Sequence, residues 1–181
     1  MNEDTIELSA ISYSGTALPP EGEFRIVSVN VSERTGTRKH PVDTVRLIPG
    51  HGIEGDAHAG VLENRQVSLL AIEEIEKASA QLASLGKDGS CALAGALERL
   101  APGDFAENIT TEGVALHLLP LGTHLHIGEV VLEVSKIGKE CHAACEIRRL
   151  VGDCVMPRKG IFARVIRGGE VHRDDRCHYR F

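Results

Sequence analysis

Short runs in which apolar and polar residues alternate, separated by glycine and proline, most constrain what this chain can fold into. The run at 24–31 (Phe-Arg-Ile-Val-Ser-Val-Asn-Val) alternates in this way and is rich in β-branched residues, so it predicts a strand. The chain contains 19 glycines, which permit tight turns and closely approaching backbones. Together these features favour a strand-rich fold.

Several further segments carry strand or helix signals. Strands are predicted at 42–48, 66–70, 105–110, 123–127, 129–137 and 161–167, and a tight Gly168-Gly169 hairpin turn is predicted to lead to a last strand at 170–172. Helices are predicted at 71–85, at 91–100 and, as a short piece, at 141–151. Residues 50–60 contain too much glycine for regular structure.

The length of 181 residues suits one core, and no repeat or linker divides the chain. We therefore predict a single, mainly β domain with inserted helices (an α+β fold), built as a barrel or curved sheet with helices on one side. The domain is predicted at 23–172, with an N-terminal arm at 1–22 and a polar, peripheral tail at 173–181. The order in which the strands pair is not predicted.

The net charge of −6 hides an uneven distribution. Residues 1–135 contain 9 Lys/Arg and 20 Asp/Glu, whereas residues 136–181 contain 11 Lys/Arg and 6 Asp/Glu. The basic segment indicates an anionic ligand or an acidic partner, with a solvated arginine-rich face as the alternative. The chain is acidic overall, contains 3% aromatic residues and has no recognisable nucleic-acid-binding motif. These features argue against nucleic acid as a binding partner.

Cysteine usage and the N-terminus indicate the compartment. Residues 1–9 contain acidic and no basic side chains, which is wrong for a signal peptide, and no run approaches a membrane span. We expect a cytoplasmic protein whose five cysteines are reduced thiols. In that compartment, neighbouring cysteines indicate metal binding or catalysis more often than disulfides.

Cys141 is the strongest candidate for chemistry. It follows a predicted strand and lies between Lys139 and His142, and cations and free helix N–H groups favour the thiolate form. A thiolate is both a nucleophile and a soft metal ligand. Cys145 lies one helical turn further and is either a second thiol of the site or a packed residue.

The residues also suggest two other candidate sites, a zinc site and a ligand site in the loop at 50–60. Zinc has enough potential ligands in Cys141, His142, Cys145, Cys154, Cys177 and His178, but the chain lacks a C-x-x-C pair and a second half-site, which disfavours structural zinc. In the glycine-rich loop at 50–60, Asp56 could orient the His58 ring, and flanking glycines let the backbone approach a ligand. A turn with His58 hydrogen-bonded into it is the alternative.

Several motifs resemble one known family. The relevant pieces are Gly-Asp-Ala-His-Ala-Gly at 55–60, Arg-Gln-Val-Ser-Leu-Leu at 65–70, Pro-Gly-Asp-Phe-Ala-Glu-Asn-Ile-Thr-Thr-Glu-Gly at 102–113, Leu-Gly-Thr at 121–123, Leu-His-Ile-Gly at 125–128, Val-Leu-Glu-Val at 131–134 and Gly-Lys-Glu-Cys at 138–141. Over about residues 24–170 the chain resembles the MOSC domain family, named for the C-terminal domain of molybdenum cofactor sulfurases, and in particular its small stand-alone bacterial members.

The resemblance implies a β-barrel-like fold and a role in molybdenum cofactor (molybdopterin) metabolism. It implies that Cys141 either carries sulfane sulfur as a persulfide or binds the metal of the cofactor. Asp56, His58, Arg65 and Asn108 are then expected to shape the pocket by hydrogen bonding. The candidates for the pterin phosphate are Lys139, Arg148, Arg158 and Arg164, because ammonium and guanidinium groups complement phosphate oxygens.

The resemblance also implies partners. The sulfur donor is expected to be a pyridoxal-phosphate-dependent cysteine desulfurase, and the recipient a molybdoenzyme or a cofactor-biosynthesis protein. No lysine here has a recognisable pyridoxal-phosphate context, so that cofactor is assigned to the partner. Two alternatives are a cofactor-dependent reductase of N-hydroxylated compounds and a non-catalytic adaptor that binds the cofactor. The oligomeric state and the choice between molybdenum and tungsten are not predicted.

Overall fold

The computed structural model describes residues 18–87, 100–139 and 154–181. The strands in these ranges are Glu21–Val31 (β1), His40–Val42 (β2), Thr44–Ile48 (β3), Gly52–Ile53 (β4), Val67–Ala71 (β5), Ile109–Glu112 (β6), His124–Ile127 (β7), Val130–Ile137 (β8), Ile161–Arg167 (β9), Gly169–His172 (β10) and Arg176–Arg180 (β11). The α-helices are Ile72–Lys87 (α1) and Met156–Lys159 (α2), and 3₁₀ turns occur at Glu63–Arg65 and Leu116–Leu118.

Seven strands close into a barrel in the order β1, β11, β7, β8, β9, β5, β6 and back to β1. Neighbouring strands are antiparallel except β5 and β6, which are parallel and are connected through α1. β2 extends the sheet from the other half of β1, and β3, β4 and β10 form a separate three-stranded sheet. The prediction of a mainly β, barrel-like fold with inserted helices is confirmed.

Strand β5 shows how the sequence pattern follows from the position of the strand. All five of its residues are buried, because it has packing partners on both faces. Side chains alternate along a strand, so Leu69 joins the hydrophobic core of the barrel while Leu70 faces outward. On the outer side, Leu70 packs in a second cluster that includes Ile75 of α1, Phe105 and Phe162.

The small sheet extends the barrel core. Its apolar residues Val45, Leu47, Ile53 and Val171 belong to the same buried cluster as the barrel interior. The strand at 170–172 was predicted to form a hairpin with 161–167, and that prediction is wrong. β10 pairs with β3, with Val171 opposite Val45. Alternation predicts that a segment is a strand, whereas the partner of that strand depends on the rest of the fold.

The prediction of a peripheral tail at 173–181 is also wrong, because Arg176–Arg180 is the strand that closes the barrel. It pairs with β1 on one side and with β7 on the other. Cys177 and Tyr179 point inward and are buried, whereas the three polar residues of the strand face outward. Cys177, which lies in the segment predicted as this tail, is therefore a residue of the barrel core.

Smaller differences concern the ends of elements. The strand predicted at 105–110 begins only at Ile109, because residues 102–105 form turns and Ala106 has a positive φ of 62°. The strand predicted at 42–48 is interrupted at Asp43. The helices predicted at 91–100 and 141–151 and most of the arm at 1–22 lie outside the described residues, although β1 already begins at Glu21. Among the described helices, none is long and apolar enough to cross a membrane.

Candidate functional site

The turn after β4 is built around the carboxylate of Asp56, which is buried. Its Oδ1 accepts a hydrogen bond from the backbone N–H of His58 at 3.0 Å, and its Oδ2 accepts one from the backbone N–H of Ser32 at 3.1 Å. A short side chain that accepts from the backbone two residues later stabilises a turn. This contact fixes the backbone at His58 beside the barrel.

Lys39 lies beneath this turn. Its ammonium is 2.5 Å from Asp56 Oδ2, and the side-chain exposures of the pair are 0% and 2%. Burial lowers the pKa of Lys39 below its ordinary value, and the ion pair with Asp56 opposes that change. Burial also raises the pKa of Asp56, but hydrogen bonds from His58 and Lys39 outweigh it and hold that pKa below its ordinary value.

The backbone of Lys39 is held by the turn that precedes β6. Lys39 N–H donates to the carbonyl of Gly103 at 2.9 Å. Gly103 has a φ of 91°, and a Cβ there would lie 2.2 Å from the Lys39 carbonyl oxygen, so only glycine permits this approach. The two motifs at 55–60 and 102–113 are therefore joined through Lys39, a residue that the sequence analysis did not select.

Glu107 anchors the same turn from inside. It is 0% exposed and accepts hydrogen bonds from Gly103 N–H at 2.6 Å, from Phe105 N–H at 3.2 Å and from the Thr110 hydroxyl at 2.9 Å. Burial raises the pKa of Glu107 to about 7, although these hydrogen bonds oppose the change. Glu107 lies within the motif at 102–113 but was not among the predicted site residues.

Asn108 connects three strands of the barrel wall. Its Oδ1 accepts from the Ser68 hydroxyl at 2.8 Å and from the Ser68 backbone N–H at 3.2 Å, and its Nδ2 donates to the Asn30 carbonyl at 3.2 Å. Ser68 lies in β5 and Asn30 in β1, so the amide braces these strands just before β6 begins.

A cavity of about 200 Å³ lies on the outer face of this wall. Four of the predicted site residues, His58, Arg65, Asn108 and Lys139, line it together. The rest of its described lining is mostly apolar or uncharged: Gly36, Val61, Leu62, Ser68, Phe105, Ala106, Met156 and Phe162. Side chains from motifs that are widely separated in the chain therefore converge on one cavity.

One contact holds the Arg65 cation of the cavity, and others fix the backbone next to Lys139. The Arg65 guanidinium carbon lies 5.4 Å from the centroid of the Phe162 ring, a cation–π geometry. Next to Lys139, Gly138 donates its N–H to the Gly160 carbonyl at 2.8 Å. Gly138 has a φ of 65°, and a Cβ there would lie 2.2 Å from the Pro157 carbonyl oxygen. The backbone before Lys139 is thus packed closely against α2.

The structure places other predicted residues away from this cavity. Arg164 forms an ion pair with Glu133 across β8 and β9 and is not part of the described lining. Arg158 is exposed on α2 and is also absent from that lining. Asp56 contacts His58 and does not itself line the cavity. Cys141 and Arg148 lie outside the described residues, as do His142 and Cys145.

The two described cysteines are both buried. Cys154 belongs to the outer hydrophobic cluster beside Met156 and Phe162. Cys177 lies in the barrel core, where burial raises the pKa of its thiol to about 12, so it is a poor source of thiolate. Within the described ranges, no group of three or more His, Cys, Asp and Glu side chains is arranged to hold a metal ion.

Comparisons with known proteins give one family and several similar folds. The model of the MOSC domain family matches residues 54–178. A search of curated proteins finds no match. The fold is similar to YuaD of Bacillus subtilis, with 17% sequence identity, a TM-score of 0.69 and coverage of 89% of this chain and 98% of YuaD.

It is also similar to YiiM of Geobacillus stearothermophilus, with 18% identity, a TM-score of 0.60 and coverage of 87% of this chain and 75% of that protein. For YiiM of Escherichia coli the identity is 19%, the TM-score is 0.57, and the coverage is 90% of this chain and 71% of YiiM. At these identities, the likenesses show the fold alone.

Proposed function

The chain belongs to the MOSC domain family, and we propose that it acts in molybdenum-cofactor metabolism by binding the cofactor in the cavity beside Arg65. The observation that supports this proposal is the convergence of His58, Arg65, Asn108 and Lys139 on one cavity. We further propose that Cys141 provides the thiolate that carries sulfur or binds the metal.

The residues of the cavity fit the cofactor chemically. Arg65 and Lys139 are cations suited to an anionic phosphate, and His58 and Ser68 add further polar groups. Phe105, Met156 and Phe162 offer apolar surface to a flat ring system. Small-molecule sites measure about 300–1,000 Å³, and the described part of this cavity, at about 200 Å³, is smaller than that range.

Cys141 is tied to the cavity by covalent geometry. It follows the cavity residue Lys139 by two positions, and an extended chain spans at most about 3.6 Å per residue. The α-carbons of the two residues are therefore no more than about 7 Å apart. Lys139 lies two positions before Cys141 in the sequence, and a cation near a thiol favours the thiolate.

The proposed roles of the chain are binding and sulfur handling. The cofactor, when bound, supplies redox chemistry at its metal, and a thiolate is a soft ligand that suits such a metal. In sulfur transfer, the Cys141 thiolate attacks the outer sulfur of a persulfide on the desulfurase. The donor's S–S bond breaks as a new one forms on Cys141, and the donor leaves as a thiolate.

Mass spectrometry tests the carrier role. The protein is incubated with a cysteine desulfurase and cysteine without reductant, and the mass of one added sulfur atom is measured. We expect labelling of wild type and of the control variant Cys177→Ala, whose thiol is buried in the barrel. Cys141→Ala is expected to lose the label, because it lacks the attacking thiolate. Equal labelling of wild type and Cys141→Ala would contradict the carrier role.

A further inference from the structure

We propose that Lys39 is a positioning residue that holds His58 in the tautomer with its proton on Nε2, so that His58 presents a hydrogen-bond donor to the cavity. The Lys39 ammonium is buried, and each of its three hydrogens has an acceptor nearby. Only the part that concerns the ligand rests on the proposed function, since the tautomer belongs to the ligand-free protein.

Three acceptor atoms surround the Lys39 ammonium among the described residues. They are Asp56 Oδ2 at 2.5 Å, Ser32 Oγ at 3.2 Å and His58 Nδ1 at 3.4 Å. An ammonium group has three N–H donors and no acceptor, so the number of donors equals the number of surrounding acceptor atoms. The side chain is 0% exposed, so solvent does not replace a missing acceptor. Leaving a charged donor unsatisfied in the interior is costly, which favours His58 Nδ1 as an acceptor without a proton.

Asp56 offers the competing arrangement. Its Oδ1 lies 3.5 Å from His58 Nδ1, so a proton on Nδ1 has a potential acceptor. That oxygen already accepts the His58 backbone N–H at the shorter distance of 3.0 Å. A proton on Nδ1 would also face the Lys39 ammonium, placing two donors against each other. The contacts therefore favour Nε2–H, as long as Lys39 is present.

This tautomer determines what His58 can do. The ring nitrogen opposite Nδ1 is a donor, and the half-exposed ring lines the cavity with Arg65 and Lys139. Such a site suits a ligand that brings an acceptor oxygen, as a phosphate or an oxo group does. The protonated Nε2 has no lone pair available for a metal, and Nδ1 faces the Lys39 ammonium, so His58 in this state is a hydrogen-bonding residue and not a metal ligand.

Nitrogen NMR measures the tautomer directly. The ligand-free protein is labelled with ¹⁵N-histidine, and long-range ¹H–¹⁵N correlations are recorded at an alkaline pH where the imidazoles are neutral. The His58→Gln variant identifies the His58 signals among those of the nine histidines. We expect wild type to show a protonated Nε2 and an unprotonated Nδ1, and Ser32→Ala, which leaves the contact between Lys39 and His58 in place, to show the same.

Lys39→Met is expected to reverse the pattern, because Asp56 Oδ1 then becomes the partner of His58 Nδ1 and draws the proton to that nitrogen. A wild-type protein with the proton on Nδ1, or a folded Lys39→Met variant with an unchanged His58 spectrum, would overturn the inference. If Lys39→Met does not fold, the tautomer seen in the wild-type spectrum alone supports or overturns the inference. An Nε2–H tautomer in a protein that binds no molybdenum cofactor would support the inference and reject the proposed function.

Discussion

Glu107 is a carboxyl group enclosed in the wall that carries the cavity, and its protonation is linked to stability. Its pKa of about 7 in the folded protein lies above the ordinary value of 4.5. The native state therefore binds this proton more tightly than the unfolded chain does. The contribution of Glu107 to stability is full below about pH 4.5 and is lost as the pH rises through about 7.

We expect the free energy of unfolding of wild type to fall by about 3 kcal/mol relative to Glu107→Gln between about pH 4.5 and 8, because glutamine does not titrate. Urea denaturation of both proteins across this range measures the difference. Comparing the two proteins removes the contribution of other titrating groups, including the histidines. A difference that stays constant over the range would show that burial does not perturb Glu107.

Residues of the site differ in how far the sequence reveals them. His58, Arg65, Asn108 and Lys139 were predicted from motifs, and the structure brings these four to one cavity. Lys39 was missed because it lies in a polar, basic loop in which nothing distinguishes it from its neighbours. Its burial results from the pairing with Asp56, a contact across 17 positions of the chain.

At the level of elements, β11 closes the barrel between β1 and β7. Without this strand, β1 and β7 would each lose a neighbour and the barrel would have two open edges. Tyr179 fills the inner face of β11 and is 3% exposed. Gly22 of β1 lies opposite Tyr179, and a Cβ there would lie 2.6 Å from the Tyr179 hydroxyl. The absence of a side chain at Gly22 therefore leaves room for the tyrosine ring.

Tyr179→Ala is expected to lower the free energy of unfolding by about 3–5 kcal/mol, as for other large aromatic residues truncated in a core. Arg180→Ala, on the exposed face of the same strand, is the matched control and should change it by less than about 0.5 kcal/mol. Urea denaturation of the two variants gives both values. Similar small effects in both would mean that β11 does not contribute to the stability of the barrel.

The elements most easily predicted were those with long patterns. β1, α1, β8 and β9 follow apolar spacing that is visible over at least seven residues. β11 carries the same period-two pattern, with Cys177 and Tyr179 inward, but its three polar residues and five-residue length suggest a loose tail. The partner of β10 was not predictable, because pairing across more than a hundred residues depends on the whole fold.

For the whole molecule, the basic residues after residue 135 have different locations: at least one lines the cavity and others lie away from it. Lys139 from the basic segment lines the cavity, as an anionic ligand requires. Arg164 and Arg167 of the same segment instead contact Glu133 and the Glu129 carbonyl across β8 and β9. Net charge along the chain therefore does not identify which of these cations line the cavity.

The central claim is that the cavity beside Arg65 binds the molybdenum cofactor. The most direct measurement is the amount of molybdenum and pterin retained after the protein is incubated with the isolated cofactor and desalted, by elemental analysis and pterin fluorescence. We expect wild type and the control Arg164→Gln to retain both, since Arg164 pairs with Glu133 away from the cavity. Arg65→Gln should bind about 10- to 100-fold more weakly, as expected for loss of a charged hydrogen bond. Zinc or no metal in wild type, or equal retention by Arg65→Gln, would contradict the claim.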